Sequence, residues 1–508
     1  MSDSFTTARQ RIAAAYDPQF LDVAGRKTVE LVVEHLTRVQ SGSGKVLNWN
    51  LPAPNVAAAE EFLRGGDESA ASGPPDFATA QERFARLAGS ILERGQNLHH
   101  PHYIGHQVPA SVPLAGLFDA IASITNQVMA IYEMGPWATA VEAALVERIG
   151  MQVGLGAGEF AGHITHGGSL ANLTALLTAR NVVLGDSWHA GVHRDGPPPV
   201  LVVHAEAHYC LARSAGILGL GTQQVIKAAL DDRRRIDPQR LDETLTELKR
   251  KGHPIVAVAA CACATPIGAF DPLNDIADVC QRHGVWLHVD AAHGGAAAFS
   301  PTHRPLLAGL ERADSFIIDA HKMMFVPALC AFVFYRNREH RYEAFQQDAP
   351  YLFDPSAPDL ADFDVGLRTL ECTKRAAAYG LWGVWSIFGT QLFADLVDLT
   401  FGLGRRFYEM LLAAPDFEPL HEPQCNIVAF RHVPEEMRDV APQDLGRFQL
   451  TLRRQLIESG RFYIVPTSKD GIAALRVTVI NPLTTEADLA DLLTAIREAG
   501  AIELRKAQ

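Results

Sequence analysis

The segment ADSFIIDAHKMMFVPALCAFVFYR reads as an apolar strand that ends in Asp319-Ala320-His321-Lys322 and resumes as a second apolar run. A lysine between two hydrophobic segments is costly to keep as a buried ammonium. Lysines in such places commonly work as amines, and their commonest chemistry is an imine with a carbonyl cofactor. Asp290 closes another apolar run, Val285-Trp286-Leu287-His288-Val289-Asp290, and small residues follow it. A carboxylate there needs a cation or several donors. A protonated ring nitrogen would serve, and Ala291, Ala292 and Gly294 leave room for a flat ring; capping of the following helix is the other reading.

Two further stretches carry polar groups just after strand patterns. Thr165-His166-Gly167-Gly168-Ser169-Leu170-Ala171-Asn172 follows a strand and opens a helix. Glycines let the backbone approach a ligand, and the first helical N–H groups favour an anion such as phosphate. By itself the pattern is weak and is more often a tight turn with an N-cap. His208, in Ala205-Glu206-Ala207-His208-Tyr209, is placed to stack on a ring or to be an ordinary core histidine. Together, the phosphate turn, ring-facing histidine, acidic strand end and lysine stand in the order that one sheet-based cofactor site requires.

The elements that must position these residues are legible as alternating short apolar runs and helical patterns between about 96 and 385. The predicted strands are Ala161–Thr165, Pro199–Ala205, Val225–Lys227, Pro254–Cys261, Val285–Val289, Ser315–Ile318 and Ala331–Tyr335. Helical patterns lie at Leu170–Leu184, His208–Leu218, Pro238–Arg250 and Leu273–His283. Strands apolar along their length and separated by helices predict an α/β fold with a mainly parallel sheet covered on both faces. Ligands bind such sheets at the carboxyl ends of the strands. Residues 1–95 read as a helical arm that packs on a partner subunit, with a helical pattern over 8–40, a short one at Asn55–Leu63 and an exposed loop at Ser69–Pro75. Residues 96–385 form the large domain and 386–508 a small α+β domain. Thr373–Leu412 reads as a long helical region, followed by strand Asn426–Phe430, helix Gln443–Ser459, strands Tyr463–Val465 and Ala474–Val479, and helix Glu486–Glu498.

The chain has 508 residues, 48% hydrophobic and 20% charged, with a formal net charge of −13. That balance argues against nucleic acid or an anionic membrane as partner. No apolar run reaches the roughly 20 residues that span a bilayer. Seven cysteines, mostly in apolar stretches, show no disulfide rhythm and read as reduced thiols of a cytoplasmic protein. Cys261 and Cys263 read as two positions on one face of a buried strand rather than as metal ligands.

THGGSLANLTALLTAR, HAEAHYCLARSAGILGLG, GAFDPL, WLHVDAAHGG and ADSFIIDAHKMMFVP resemble the pyridoxal-phosphate-dependent group II amino-acid decarboxylases, which include glutamate, aromatic amino-acid and diaminobutyrate enzymes. The resemblance runs from about Asn97 to Arg375 and recurs in LRVTVINPLTTEADL. It implies fold type I, like aspartate aminotransferase, and a homodimer with the active site at the subunit interface. By resemblance Lys322 is the imine lysine, Asp290 pairs with the pyridine nitrogen, and His208 stacks on the ring above Ala292. Gly168, Ser169, Asp319 and His321 surround the phosphate. Asn172 belongs to the same motif, and Thr265 lies near the cofactor oxygen. His106 and Gln107, in HPHYIGHQVPAS, and Arg476 are the substrate-side residues. The implied reaction takes an L-amino acid, of polar (acidic or diamino) side chain, to an amine and CO2.

Three departures bear on that reading. Cys263-Ala264-Thr265 stands where the family often has Gly-Thr-Thr, and His166 stands where a small or hydroxyl residue is common. The loop 351–375 has its only tyrosine at Tyr351, and Phe363 precedes Asp364 where related loops carry the tyrosine that protonates the substrate carbon. A phenylalanine in that role goes with oxygen-dependent aldehyde formation, which makes an aldehyde the alternative product. A weakly active cofactor-binding homologue is the third reading.

Overall fold

The computed structural model describes residues 2–70, 76–345 and 362–506. Tyr351 and much of the predicted mobile loop lie outside these residues, as does most of the loop predicted at Ser69–Pro75.

The central element is a seven-stranded sheet. Its strands are β1 (Ala161–Thr165), β2 (Val200–His204), β3 (Val225–Ala228), β4 (Ile255–Cys261), β5 (Leu287–Asp290), β6 (Ser315–Asp319) and β7 (Ala331–Tyr335). Their spatial order is β1-β7-β6-β5-β4-β2-β3, and only β7 runs against the rest. Every residue of β2, β4, β5, β6 and β7 is buried. That is why these strands are apolar throughout rather than alternating: both faces are covered. One face packs into a core with Val258, Val289, Phe316 and Phe334, the other into a core with Val203, Ala257, Ile317 and Val333. Alternate residues of the same strands serve the two cores, as the pleat dictates.

The second sheet is antiparallel, in the order β8-β9-β11-β10 for β8 (Phe417–Pro419), β9 (Ile427–His432), β10 (Val465–Lys469) and β11 (Ile472–Thr478). Helices Pro442–Ser459 and Glu486–Lys506 bury Leu452, Leu456, Leu492 and Ile496 against it. The predicted strand at Tyr463–Val465 lies further on, at Val465–Lys469, because its partner residues run from Ile472 to Arg476 across a turn at Asp470 and Gly471. β8 carried no sequence signal: it is three residues long.

Two predicted helices are each divided. Residues 8–40 hold two, Ser2–Ala15 and Pro18–Gln40, because Asp17 caps the second through Gln19 N and Pro18 starts it. The long pattern at Thr373–Leu412 splits into Tyr379–Phe388 and Gln391–Ala413 around Gly389, whose φ of 69° ends the first helix. The arm also has helices Pro52–Ala70 and Phe77–Arg94. Its second helix, Pro18–Gln40, buries only Ala24 and Val39, and its last buries nothing. Ile12, Tyr16, Leu21, Val29 and Val33 are left exposed. Among the described residues no helix is long and apolar enough to cross a membrane.

Candidate active site

β1, β2, β4, β5 and β6 end at one edge of the large sheet, and each delivers polar groups just past its last residue. β1 leads through His166 and Gly167 into α1 (Gly168–Leu184); β2 leads to His208; β4 to Cys263 and Thr265; β5 ends on Asp290; β6 ends on Asp319 and leads to His321 and Lys322. These turns enclose a cavity of about 290 Å³. All ten residues predicted to bind the cofactor line it, and so does Gln107. His106 and Arg476 do not: they stand at its margin.

Lys322 Nζ lies 3.1 Å from Asp319 Oδ2. Burial draws the ammonium towards neutrality, but the carboxylates of Asp319 and Asp290 outweigh it and raise the pKa above the ordinary lysine value. Asp319 Oδ1 is buried without a partner, and His321 Nε2 is 3.6 Å from Oδ2. His321 is held from behind, its Nδ1 2.9 Å from the Cys330 carbonyl oxygen. His208 Nδ1 accepts from Cys210 N at 3.4 Å, and burial lowers its pKa, so the imidazole is neutral with its proton on Nε2.

Asp290 accepts on both oxygens, from Ala292 N at 3.1 Å and from Asn172 Nδ2 at 3.1 Å. Of the small residues after it, only Ala292 lines the cavity. The expectation that Ala291 and Gly294 make room for a ring is corrected: a Cβ on Gly294 would stand 2.6 Å from the Ala262 carbonyl and from the Phe270 ring, so its smallness serves packing. The start of α1 has no side-chain cap. Gly167 has φ of 103°, and a Cβ on Gly168 would come within 2.6 Å of Asp319 Oδ2, so both positions demand glycine. Cys263, predicted on the strand face, lies past the end of β4 with φ of 84°, its Sγ 3.6 Å from Cys425 Sγ.

At the margin, Arg476 on β11 donates from Nη1 to the Thr265 carbonyl at 2.7 Å. Its Nε is buried without a partner, and among the described residues it forms no ion pair. Burial lowers its pKa to about 10. His106 lies at the surface with its ring tilted on Tyr463 at 5.6 Å, and partial burial of that ring, together with Arg476 and Arg453, lowers its pKa.

Sequence reasoning singled out His166 but missed its partner and several other neighbours. His166 Nδ1 lies 3.0 Å from Glu371 Oε1 beside the cavity. His293 also lines it, with Nε2 2.9 Å from Asn426 Oδ1 and Nδ1 buried and unpartnered. Burial pushes its pKa down to about 3. Behind Asp290 stand His288, Ser315 and Trp286. The period-two spacing of His288 and Asp290 placed both on one strand face and was the available signal.

Pyridoxal phosphate fits these side chains. The cavity offers an amine, a doubly bonded carboxylate beside a small residue, and an uncapped helix start cleared by two obligatory glycines. When the whole chain is compared with known proteins, the family model described as the pyridoxal-dependent decarboxylase conserved domain matches residues 86–433. The cysteine sulfinic acid decarboxylase of Rattus norvegicus is 29% identical over 493 residues, covering 95% of this chain and 97% of that protein. The L-2,4-diaminobutyrate decarboxylase of Acinetobacter baumannii is 28% identical over 432 residues, covering 82% and 83%. The crystal structure of mouse CSAD superposes with a TM-score of 0.84 at 28% identity, over 94% of this chain and 99% of that one. Sheet order, strand-end residues and a match over most of the length agree, and the chain belongs to the pyridoxal-dependent decarboxylase family.

Proposed function

We propose that this enzyme decarboxylates an L-amino acid with an acidic side chain, releasing the amine and CO2. The observation that carries the choice of substrate is Arg476: a buried guanidinium at the cavity margin, with an unpartnered N–H and no carboxylate partner among the described residues. A buried cation without a counter-ion is costly, and a substrate carboxylate would relieve that cost. A diamino acid is the second reading, favoured by Glu371 beside His166, and relatives of both kinds are similar to this chain.

Pyridoxal phosphate, when bound, supplies an electron sink for the pair left on Cα as CO2 departs. The protein's residues have the remaining tasks. Lys322 is the amine that holds the cofactor, and Asp319 takes part in setting its protonation. Asp290 presents a carboxylate to the ring nitrogen, with both oxygens steadied by donors. Gly168, Ser169 and His321 would hold the phosphate, Thr265 would lie near the ring oxygen, and His208 and Ala292 would flank the ring. Asn172 acts on the cofactor through Asp290. His208, fixed through Nδ1, keeps Nε2–H for proton delivery at Cα. His106 and Gln107 contact the substrate side chain.

We read the chain as an arm (1–95), a large domain (96–385) and a small domain (386–508), assembled as a cytoplasmic homodimer with its active site at the interface. The exposed apolar side chains of the arm, together with Trp137 at 60% exposure, support a covered face. Light scattering reporting a monomer at micromolar concentration would overturn the dimer.

The deciding assay supplies a panel of L-amino acids and measures CO2, amine, aldehyde and peroxide, with and without oxygen. Amine production from an acidic substrate without oxygen is expected. Oxygen uptake matching CO2 release would replace the amine with the aldehyde, and preference for a diamino acid would move the specificity to Glu371.

A further inference from the structure

Asp290 stands at the end of a buried chain of hydrogen bonds whose direction can be worked out. Asn172 Nδ2 donates to Asp290 Oδ2 at 3.1 Å, and the Asn172 amide oxygen lies 2.8 Å from His288 Nε2. An amide oxygen only accepts, so Nε2 carries the proton. On the other side of the ring, Nδ1 lies 2.9 Å from Ser315 Oγ, which accepts from Trp286 Nε1 at 2.9 Å. An indole N–H only donates. In a neutral imidazole protonated on Nε2, Nδ1 is bare, so the Ser315 hydroxyl donates to it. Every bond then points one way: Trp286 to Ser315 to His288 to Asn172 to Asp290.

The fold makes this chain by strand pairing. His288 and Asp290 lie two residues apart on β5 and share a face. Ser315 is the register partner of His288 on β6. α1 lays Asn172 across that face, and its second amide N–H goes to Cys210 Sγ at 3.4 Å. None of the five residues is more than 8% exposed. Turning the Asn172 amide over would set its oxygen against Asp290 Oδ2, two acceptors facing each other in a place water does not reach. It would also require the other His288 tautomer, leaving the Ser315 hydroxyl proton without the ring as acceptor.

We infer that this one-way relay locks the Asn172 amide with its NH2 towards Asp290, which makes His288, Ser315 and Trp286 positioning residues for the carboxylate that faces the cofactor nitrogen. The inference rests on the role proposed for Asp290. No proton has to move along the chain. Its work is orientation, because each donor fixes the state of the next group.

The test uses full-length protein labelled with 15N-histidine, without and with pyridoxal phosphate. The His288 signals are those missing from His288→Gln. Nε2 protonated and Nδ1 bare, unchanged over about pH 6 to 8 where ordinary histidines titrate, is the expected result. An Nδ1–H tautomer, or a His288 that titrates with the exposed histidines, overturns the relay whatever the cofactor does. Affinity for pyridoxal phosphate and the pH dependence of its visible absorption give the second readout. His288→Leu removes both ring nitrogens, and is expected to weaken binding about tenfold to a hundredfold and to shift the absorption titration. His288→Gln keeps an N–H for Asn172 and an acceptor for Ser315, and is expected to stay within a few-fold of the parent. Equal behaviour of the two variants overturns the inference. Should His288→Leu fail to fold, Ser315→Ala decides. A mixture of His288 tautomers with weakened binding supports the relay, and a pure Nε2–H tautomer with parental affinity sinks it. Parent protein that binds no pyridoxal phosphate would defeat the proposed function instead, and the tautomer measurement on unloaded protein would still stand.

Discussion

The two sides of the cavity are built on opposite rules. On the Asp290 side the hydrogen bonds are complete: both carboxylate oxygens accept, and the Asn172 amide is used in full. On the Arg476 side they are not. Arg476 Nε and His293 Nδ1 are buried and unpartnered. A saturated wall sets one geometry and keeps it. A wall with unpaired donors and acceptors is in deficit until a ligand arrives, since each such group forgoes about 1–3 kcal/mol. On the proposed function, the contrast separates the Asp290 contact with the cofactor, which is fixed, from substrate choice, which the protein pays for with unmet polarity.

The strongest way to break the contrast is at the centre. Lys322→Ala is expected to lower kcat on the order of 10⁴-fold or more, because no other amine among the described residues lines the cavity. The measurement is trapping: borohydride should fix pyridoxal phosphate covalently to the parent enzyme and not to the variant. A variant still trapped on the protein would remove the central assignment. Asp290→Asn should come next, at about 10²–10³-fold in kcat. It replaces one carboxylate oxygen by an N–H that faces Asn172 or the ring nitrogen. An unchanged rate would show that the saturated wall does not act on the cofactor.

On the deficient side, Arg476→Met should act on recognition rather than chemistry. For an acidic substrate, kcat/KM is expected to fall about 10- to 100-fold, carried mainly by KM, in line with the loss of one charged hydrogen bond. Stability should hold or rise, because the variant no longer buries a cation without an anion. Equal losses for acidic and neutral substrates would mean that Arg476 supports the Thr265 turn and does not read the substrate.

How far the site was legible in the sequence follows the same division. Lys322, Asp290 and the glycine turn stood out because buried polar residues at strand ends break an apolar pattern. The strands themselves were readable since both faces of the sheet are covered, so β1 and β7 appear with their predicted limits. His288 and Ser315 stayed hidden: inside an apolar strand, a polar residue satisfied by a neighbouring strand looks like any other core position. The pairing of His166 with Glu371 joins residues 205 apart, and no local pattern announces it. The split of the 373–412 helix turned on the backbone at Gly389, where helical periodicity continues across the break.

Both walls hold buried neutral histidines, and this gives a prediction on stability. His288 is pushed down to about 4 and His293 to about 3, in each case chiefly by burial. The unfolded chain takes up protons near the ordinary histidine value of about 6.5, before the folded protein does. Their contribution is therefore complete above that value and is lost as pH falls through it towards the folded values, at up to about 1.4 kcal/mol per pH unit for each ring. Denaturant midpoints are expected to fall steadily between about pH 6.5 and 4, and His293→Phe should flatten the slope. A slope unaffected by that change would mean that His293 does not stay neutral when the protein folds.

The smallest effect is expected where the cavity meets solvent. His166 and Glu371 are each about a third exposed, so their contact is worth at most about 1 kcal/mol, and His166→Ser should barely change stability. Its use lies in discrimination. Freed from His166, the Glu371 carboxylate becomes available to a substrate ammonium, so the variant should gain a few-fold in kcat/KM for a diamino acid and nothing for an acidic one. The ratio of the two substrates, measured in one competition assay, isolates that effect from any general loss. A ratio that does not move would show that Glu371 lies beyond the substrate's reach, leaving Arg476 as the residue that distinguishes one side chain from another.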